Sequence, residues 1–178
     1  MEGLGNEVPF FIYAYPPEDE LAVQAATERI KNKLQTNPDR ALSILVIDLY
    51  ELAIELLEKR KVLDRLFQLE PSRSRADFRT DLQRMLDPEK HIAPAIKELT
   101  ASQDYDILFL TGIGKVFPYI RSHNVLNNLQ TVLSSKPMLM LFPGEYRQSD
   151  KLGSSLILFG RLTDDQYYRA KNILEQEL

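Results

Sequence analysis

The sequence predicts an α/β fold: a mostly parallel five-stranded sheet with helices on both faces and a helical insertion at about residues 50–100. Short apolar runs rich in β-branched and aromatic residues alternate with stretches that have helical spacing. Right-handed crossovers leave few other ways to bury such strands. Roughly 50 residues separate the second and third strands, which exceeds a simple crossover and predicts a helical subdomain. All 178 residues are expected to form a single domain, 1–178.

Composition limits the classes of protein to which the chain can belong. It contains no cysteine, which excludes disulfides, thiolate metal sites and a cysteine nucleophile and favours a reducing compartment. No apolar run reaches the ~18 residues of a membrane span, and the N-terminus lacks the basic and apolar regions of a signal peptide. The net charge of −4 gives no general attraction to polyanions. We therefore expect a soluble cytoplasmic protein that could bind nucleic acid only through a local basic patch.

The first predicted elements are a strand, a helix and a second strand. The run 8–15 is aromatic and β-branched, and two prolines close it. The acidic residues at 18–20 favour the start of a helix. The run 41–49 is the second buried strand, and Asp48 lies at its carboxyl end, where it can cap the next helix. The residues of the first helix that we expect to face the core are Leu21, Ala25, Ile30 and Leu34.

The insertion is predicted to consist of consecutive helices. Leucines at helical spacing indicate helices over 50–61 and 62–69. Another helix begins at Ser74 or Asp77, breaks near Pro88 and resumes through residue 99. The link PSRSR at 71–75 is the most basic stretch of the chain, and it is either an interface or a solvated patch. Because arginine and aromatic side chains often anchor interfaces, we predict a partner-binding surface at Arg73, Arg75, Phe78 and Arg79.

The segment 105–130 is the predicted centre of the functional site. Its apolar run 107–110 is typical of a strand covered on both faces, and a glycine turn at 111–115 stops the run. The crevice outside the carboxyl ends of parallel strands is the usual ligand position in such sheets. The next segment is dense in amides and hydroxyls, which form either a recognition surface or a hydrogen-bonded structural corner. The predicted ligand or partner crevice consists of Gly112, Gly114, Lys115, Arg121, Ser122, His123, Asn124, Asn127 and Asn128.

Two further strands and a helix complete the predicted fold. The run 137–142 is a buried strand that ends at the Pro-Gly pair 143–144, and residues 145–153 form a polar loop. The run 154–159 is the last predicted strand. Thr163 begins a capping box and predicts a final helix. That helix is expected to carry Tyr167, Tyr168, Ile173 and Leu174.

The string GIGK at 112–115 resembles the end of a phosphate-binding loop. A Walker A loop requires a glycine five positions before its GK pair, where this chain has Phe109, and Val116 replaces the hydroxyl that binds magnesium. The sheet can still resemble a P-loop topology that has lost its site, in which residues 15–17 occupy the place of the phosphate loop. We therefore expect poor binding of ATP.

The remaining polar candidates have ordinary structural explanations. His91 and His123 have no spaced carboxylate or nucleophile partner, so we assign neither a catalytic role. Asp48, Glu51 and Glu145 follow strands and are candidate metal ligands. Helix capping and exposure to solvent explain these carboxylates better than metal binding does. The sequence therefore predicts no catalytic residue, no cofactor and no metal site. Arginines pair directionally with anions and carboxylates, and the candidates for this role are Arg121, Arg147, Arg161 and Arg169.

Several strings carry a family resemblance that runs over essentially the whole chain. They are GLGNEVPFFIY (3–13), IDLYEL (47–52), LFLTGIGKVFPYIRSHNVLNNLQ (108–130), LFPGEY (141–146), GSSLILFGRL (153–162) and DQYYRA (165–170). These strings resemble the BrxB family, a domain of otherwise unassigned function encoded in BREX phage-defence islands of bacteria and archaea. Family members carry further residues before GLGNE, so we expect this chain to begin late relative to them. The resemblance implies a role in phage defence beside a DNA methyltransferase, a large ATPase and the alkaline-phosphatase-like PglZ subunit. It supplies no catalytic residue.

Two hypotheses for the function follow. The first is a non-catalytic component of a BREX phage-defence system that binds other BREX subunits, with PglZ as one candidate partner. The second is a nucleotide-binding or nucleic-acid-binding protein that uses the loop and helix at 111–130. The acidity of the chain and the missing Walker residues favour the first.

Overall fold

The computed structural model describes residues 10–133, 136–149, 153–164 and 170–176, and it contains the predicted parallel sheet. Five strands follow the order β2-β3-β4-β1-β7, and each neighbouring pair on that path is parallel. The strands are β1 (Phe10–Tyr15), β2 (Ile44–Asp48), β3 (Ile107–Thr111), β4 (Met138–Ser149), β5 (Gly153–Leu158), β6 (Leu162–Asp164) and β7 (Lys171–Asn172).

Helices connect the strands, and most of them lie in the insertion between β2 and β3. The helices are α1 (Glu20–Gln35), α2 (Leu49–Lys59), α3 (Leu63–Leu69), α4 (Arg75–Met85), α5 (Ala93–Ser102) and α6 (Ser122–Val132). A π-helical turn at Pro88–Ile92 joins α4 to α5. Asp48 caps α2 as expected, because it accepts hydrogen bonds from the Tyr50 and Glu51 amides. Helix α4 begins just after Ser74, one of its two predicted starts, and Ser74 caps it by accepting a hydrogen bond from the Asp77 amide. The predicted helical insertion is therefore present.

The two faces of the sheet are covered unequally. The row Ile12, Met140, Leu110 and Ile47 runs across four strands on one face, and each of these residues is at most 5% exposed. The next row, on the opposite face, includes Phe11, Leu139 and Val46, which are only partly buried. Right-handed crossovers that run in opposite directions along a sheet place their helices on opposite faces. Helix α1 therefore lies on the second face, and α2 to α6 pack on the first.

The predicted core face of α1 is wrong. Leu21 is 79% exposed and Ile30 is 50% exposed, whereas the buried residue of this helix is Thr27. The Thr27 hydroxyl donates to the Val23 carbonyl, which satisfies it within the helix. Among the described residues, α1 is the helix that covers this face; it buries only a narrow stripe, so its leucine and isoleucine side chains do not all reach the sheet.

The C-terminal third differs most from the prediction. Strand β4 does not end at 143–144 but continues to Ser149, so the predicted polar loop is largely strand. Pro143 forms the last parallel pair with β1, after which β4 pairs antiparallel with β5, and β5 pairs with β6. Proline has no amide hydrogen for a sheet ladder, which suits a point where the strand changes partner. The fifth parallel strand is therefore β7 and not the run 154–159.

The predicted final helix is also wrong within the described residues. Thr163 lies in β6, and Ile173 and Leu174 lie in a 3-10 turn that follows β7. Tyr167 and Tyr168 lie outside the described residues, as does Arg169. The capping box is a pattern of residues close together in sequence, so it cannot show that Thr163 will instead form part of a strand pair.

Candidate functional site

The turn after β3 contacts the carboxyl end of β2. Lys115 Nζ donates to Asp48 Oδ2 at 2.7 Å, and Asp48 Oδ1 accepts the Tyr50 amide at 2.8 Å. Gly112 has a φ of 75°, and a Cβ atom on it would lie 2.3 Å from Asp48 Oδ1. Gly112 therefore permits both the left-handed turn and the close approach of the carboxylate.

The same contacts leave this turn poorly suited to phosphate. The hydrogen bond and charge of Asp48 raise the pKa of Lys115, although partial burial opposes the shift. Gly114 lies under Phe159, because a Cβ atom on it would be 2.9 Å from the Phe159 ring. The lysine that a phosphate-binding loop would direct at its ligand is here bound to Asp48. This weighs against the nucleotide hypothesis.

A cavity of about 530 Å³ lies beside the carboxyl end of β1 and the middle of β4. The strand that follows β1 in the chain, β2, lies on one side of this strand pair, and β7 lies on the other side, so the cavity is at the topological switch point where α/β proteins commonly bind ligands. Two of the charged groups that line it pair with each other: Arg147 forms two hydrogen bonds with Glu145, at 2.9 and 2.6 Å. The Tyr15 hydroxyl donates to Glu20 at 2.5 Å, and burial, followed by this hydrogen bond, strongly raises the pKa of Tyr15.

The polar segment 121–130 divides into buried and exposed residues. Ser122 and His123 are each 8% exposed, whereas Arg121, Asn124 and Asn127 are exposed. Asn128 is half-buried and donates to the Asn124 carbonyl at 2.7 Å, a bond within one turn of α6. Arg121 and Ser122 line a cavity between α6 and the β5–β6 pair, while Gly112, Gly114 and Lys115 contact Asp48 and Phe159. The set of residues that we predicted as one crevice thus occupies two places.

The structure brings the four predicted partner-binding residues together. Arg73, Arg75, Phe78 and Arg79 line a pocket of about 350 Å³, which we call the arginine pocket. Its remaining walls are Glu70, Pro118 and Tyr119. Gln83 fixes these walls relative to each other, since its side-chain amide donates to the Pro118 carbonyl at 2.9 Å. Sequence reasoning missed Pro118 and Tyr119 because they lie far along the chain, and no local pattern signals their contact with α4.

The charges of the arginine pocket are only partly neutralised. Arg73 contacts Asp81 at 3.6 Å, with 46% of the arginine side chain exposed. Arg75 and Arg79 are exposed and form no ion pair with any residue that the structure describes. A small cavity with unpaired guanidinium groups and aromatic walls suits a carboxylate-bearing segment.

The histidines occupy separate environments. Burial and the nearby Arg60 lower the pKa of His91, while His123 is buried in α6. In the described ranges, no group of three or more histidine, aspartate or glutamate side chains could hold a metal ion. No helix among the described residues is long and apolar enough to cross a membrane.

Comparisons with known proteins identify the family. A family model described as "BREX protein BrxB" matches residues 45–173. The chain is 36% identical over 176 residues to "BREX protein BrxB" of Bacillus cereus (strain H3081.97), with 98% of this chain and 88% of that protein covered. It is 29% identical over 168 residues to "BREX protein BrxB" of Escherichia coli O9:H4 (strain HS), with 94% and 79% covered. No solved structure matches the chain. The chain therefore belongs to the BrxB family of BREX phage-defence proteins.

Proposed function

We propose that the chain acts in BREX defence as a non-catalytic component that binds another subunit of the system through the arginine pocket. The observation that carries the proposal is the grouping of three arginines with Phe78 and Tyr119 around one pocket. Arginine and aromatic side chains are the residue types that most often anchor interfaces. An acidic, aromatic-containing segment of the partner fits this surface best.

Electrostatics support a protein partner in preference to a nucleic acid. The pocket carries three arginines against the single carboxylate of Glu70, whereas the chain as a whole has a net charge of −4. A local positive patch on an acidic protein favours a small acidic epitope, since an extended polyanion would be repelled beyond the patch. Guanidinium groups also hold carboxylates in two-point geometry, which adds specificity.

The geometry at the carboxyl edge supports the non-catalytic part of the proposal. Lys115, the residue best placed to act on a phosphate, is bound to Asp48. At the switch point, Arg147 is bound to Glu145 and Tyr15 to Glu20. Among the BREX subunits that the sequence resemblance implies, the PglZ protein is the candidate partner that we would test first.

Affinity purification tests this proposal in a host that carries the complete defence island. The test variant is R73E/R75E/R79E, in which the three exposed arginines of the pocket are reversed. A matched control, R29E/K33E/R40E, makes the same charge change at exposed positions in and after α1. We expect the test variant to lose a BREX subunit that both the parent chain and the control capture. Equal capture by both variants would refute the placement of the interface.

A further inference from the structure

The cavity between α6 and the β5–β6 pair, about 250 Å³ in volume, has the composition of a ligand site. We call it the α6 pocket. It is separate from the arginine pocket and shares no lining residue with it. Most of its walls are apolar, formed by Ile113, Phe117, Ile120, Leu156, Leu158 and Leu162. A ligand that fills it must therefore present an apolar group.

The α6 pocket also has positively charged side chains next to its apolar walls. Arg121 and Arg161 both line the α6 pocket, both are exposed, and neither forms an ion pair with a described residue. None of the described residues that line the pocket is acidic. Helix α6 also begins here: its first turn carries no acidic residue and has no side-chain cap. The positive end of its dipole is thus left for an external anion.

Ser122 provides an independent observation. Ser122 lines the α6 pocket and is only 8% exposed, yet its hydroxyl forms no hydrogen bond with any residue that the structure describes. Folded proteins rarely leave a buried polar side chain without a partner. The first hydrogen bond within α6 is donated by the Val125 amide to the Arg121 carbonyl, so the helix itself offers the Ser122 amide no acceptor. The Ser122 hydroxyl and the uncapped start of α6 therefore lie at the same pocket wall.

We propose that the α6 pocket binds a carboxylate attached to a single apolar side group. The carboxylate would accept hydrogen bonds from Ser122 and the first turn of α6 and pair with Arg121 and Arg161. The apolar group would occupy the space between Phe117 and Leu158. The volume lies below the roughly 300–1,000 Å³ of sites for drug-sized molecules, which restricts the ligand to about one apolar residue. The carboxyl terminus of a protein that ends in an apolar residue has this chemistry, as does a free N-acylated amino acid.

Titration of the intact chain followed by nuclear magnetic resonance tests this assignment. The probes are N-acetyl-leucine, its amide N-acetyl-leucinamide, and acetate. We expect millimolar binding of N-acetyl-leucine with shifts at Ser122, Asn124 and Leu158, and much weaker effects of the amide, which lacks the charge, and of acetate, which lacks the apolar group. A short peptide that ends in leucine distinguishes the sources. If it binds with a free carboxyl group and fails when amidated, the ligand is a protein terminus; if only N-acetyl-leucine binds, the ligand is a small acid.

Variants separate recognition from structure. R121Q/R161Q should weaken binding of N-acetyl-leucine at least about tenfold, whereas the control R29Q/R40Q should leave it unchanged. Ser122→Ala should weaken binding severalfold without lowering the melting temperature, because it removes a hydroxyl that has no protein partner. Equal binding of the acid and its amide, absence of shifts at the pocket, or full binding by R121Q/R161Q would each overturn the proposal. None of these variants alters the arginine pocket, so failure here leaves the proposed function to its own test.

Discussion

Lys115 Nζ lies 2.7 Å from Asp48 Oδ2 and so connects the turn after β3 to the carboxyl end of the neighbouring strand β2. The same carboxylate caps α2 through its other oxygen. Asp48 therefore holds together a strand end, a helix start and the turn that we predicted as the centre of a site. The glycine turn therefore has a structural role that requires no phosphate.

Asp48→Ala should destabilise the chain by about 1–2 kcal/mol, because it removes a helix cap together with an ion pair. For a chain of this size, that corresponds to a fall in melting temperature of roughly 3–6 °C. Asp48→Asn keeps an oxygen for the cap and should cost less, and Lys115→Met, which removes only a partly exposed pair, should cost least. Thermal unfolding measures all three. An unchanged melting temperature for Asp48→Ala would show that the contact does not stabilise the fold.

Gly112→Ala should be among the most destabilising single changes in the chain. It combines a positive φ with a Cβ atom 2.3 Å from Asp48 Oδ1. Gly160→Ala is a matched control, because Gly160 also has a positive φ of 67°, but a Cβ atom on it would lie 3.7 Å from its nearest neighbour, Glu145 Oε1. We expect Gly112→Ala to exceed the control by about 1–3 kcal/mol in denaturant unfolding. Introducing Asp48→Ala into both variants should reduce this difference, and a difference that persists in full would mean that Asp48 is not the obstacle.

ATP with magnesium should not raise the melting temperature of the chain. A ligand that binds only the native state must stabilise it by mass action, so a shift would be visible at millimolar ATP. Because Lys115 is engaged with Asp48, Lys115→Ala should leave this result unchanged. A stabilisation of several degrees that Lys115→Ala abolishes would instead revive the nucleotide hypothesis.

Asn127→Ala should leave the melting temperature within about 1 °C of the parent chain, because Asn127 is exposed on α6. Asn128→Ala loses a bond within the helix and should cost little more. The exposure of Asn127 does not fit the alternative of a buried structural corner. Phage plaque assays on the same variants test whether this face of α6 is functional. Lost protection with unchanged melting would make it functional, and a large fall in melting temperature would restore the structural explanation.

The parts of the fold that sequence predicted best are those fixed by local chemistry. Asp48 caps α2 as expected, α4 begins just after Ser74, and the apolar run 107–110 forms an interior strand. What the sequence could not reveal depends on distant partners. The sequence predicts that the strand ends at Pro143, yet β4 continues beyond it because β5 offers a new antiparallel ladder. Leu21 is predicted to face the core, yet it is exposed, because the part of the chain that the structure describes places no second helix beside α1 on that face of the sheet.

The candidate sites likewise combine parts that the local sequence predicted with parts that depend on residues far along the chain. Composition alone identified Arg73, Arg75, Phe78 and Arg79, because they are close in sequence and belong to the residue types that anchor interfaces. The opposite wall of their pocket, Pro118 and Tyr119, required the structure. Sequence reasoning did not predict the α6 pocket, because its apolar walls come from separate parts of the chain: the segment before α6, and β5 and β6.

Hydrogen–deuterium exchange on the complex between the chain and its captured BREX subunit tests the central claim most directly. An interface of ordinary size buries roughly 800 Å² on each partner and slows exchange of the amides beneath it. We predict slowed exchange at residues 70–79 and at Tyr119, which include residues that line the arginine pocket, and little change on α1. Slowed exchange confined to other parts of the chain, with the arginine pocket unaffected in a stable complex, would contradict the account.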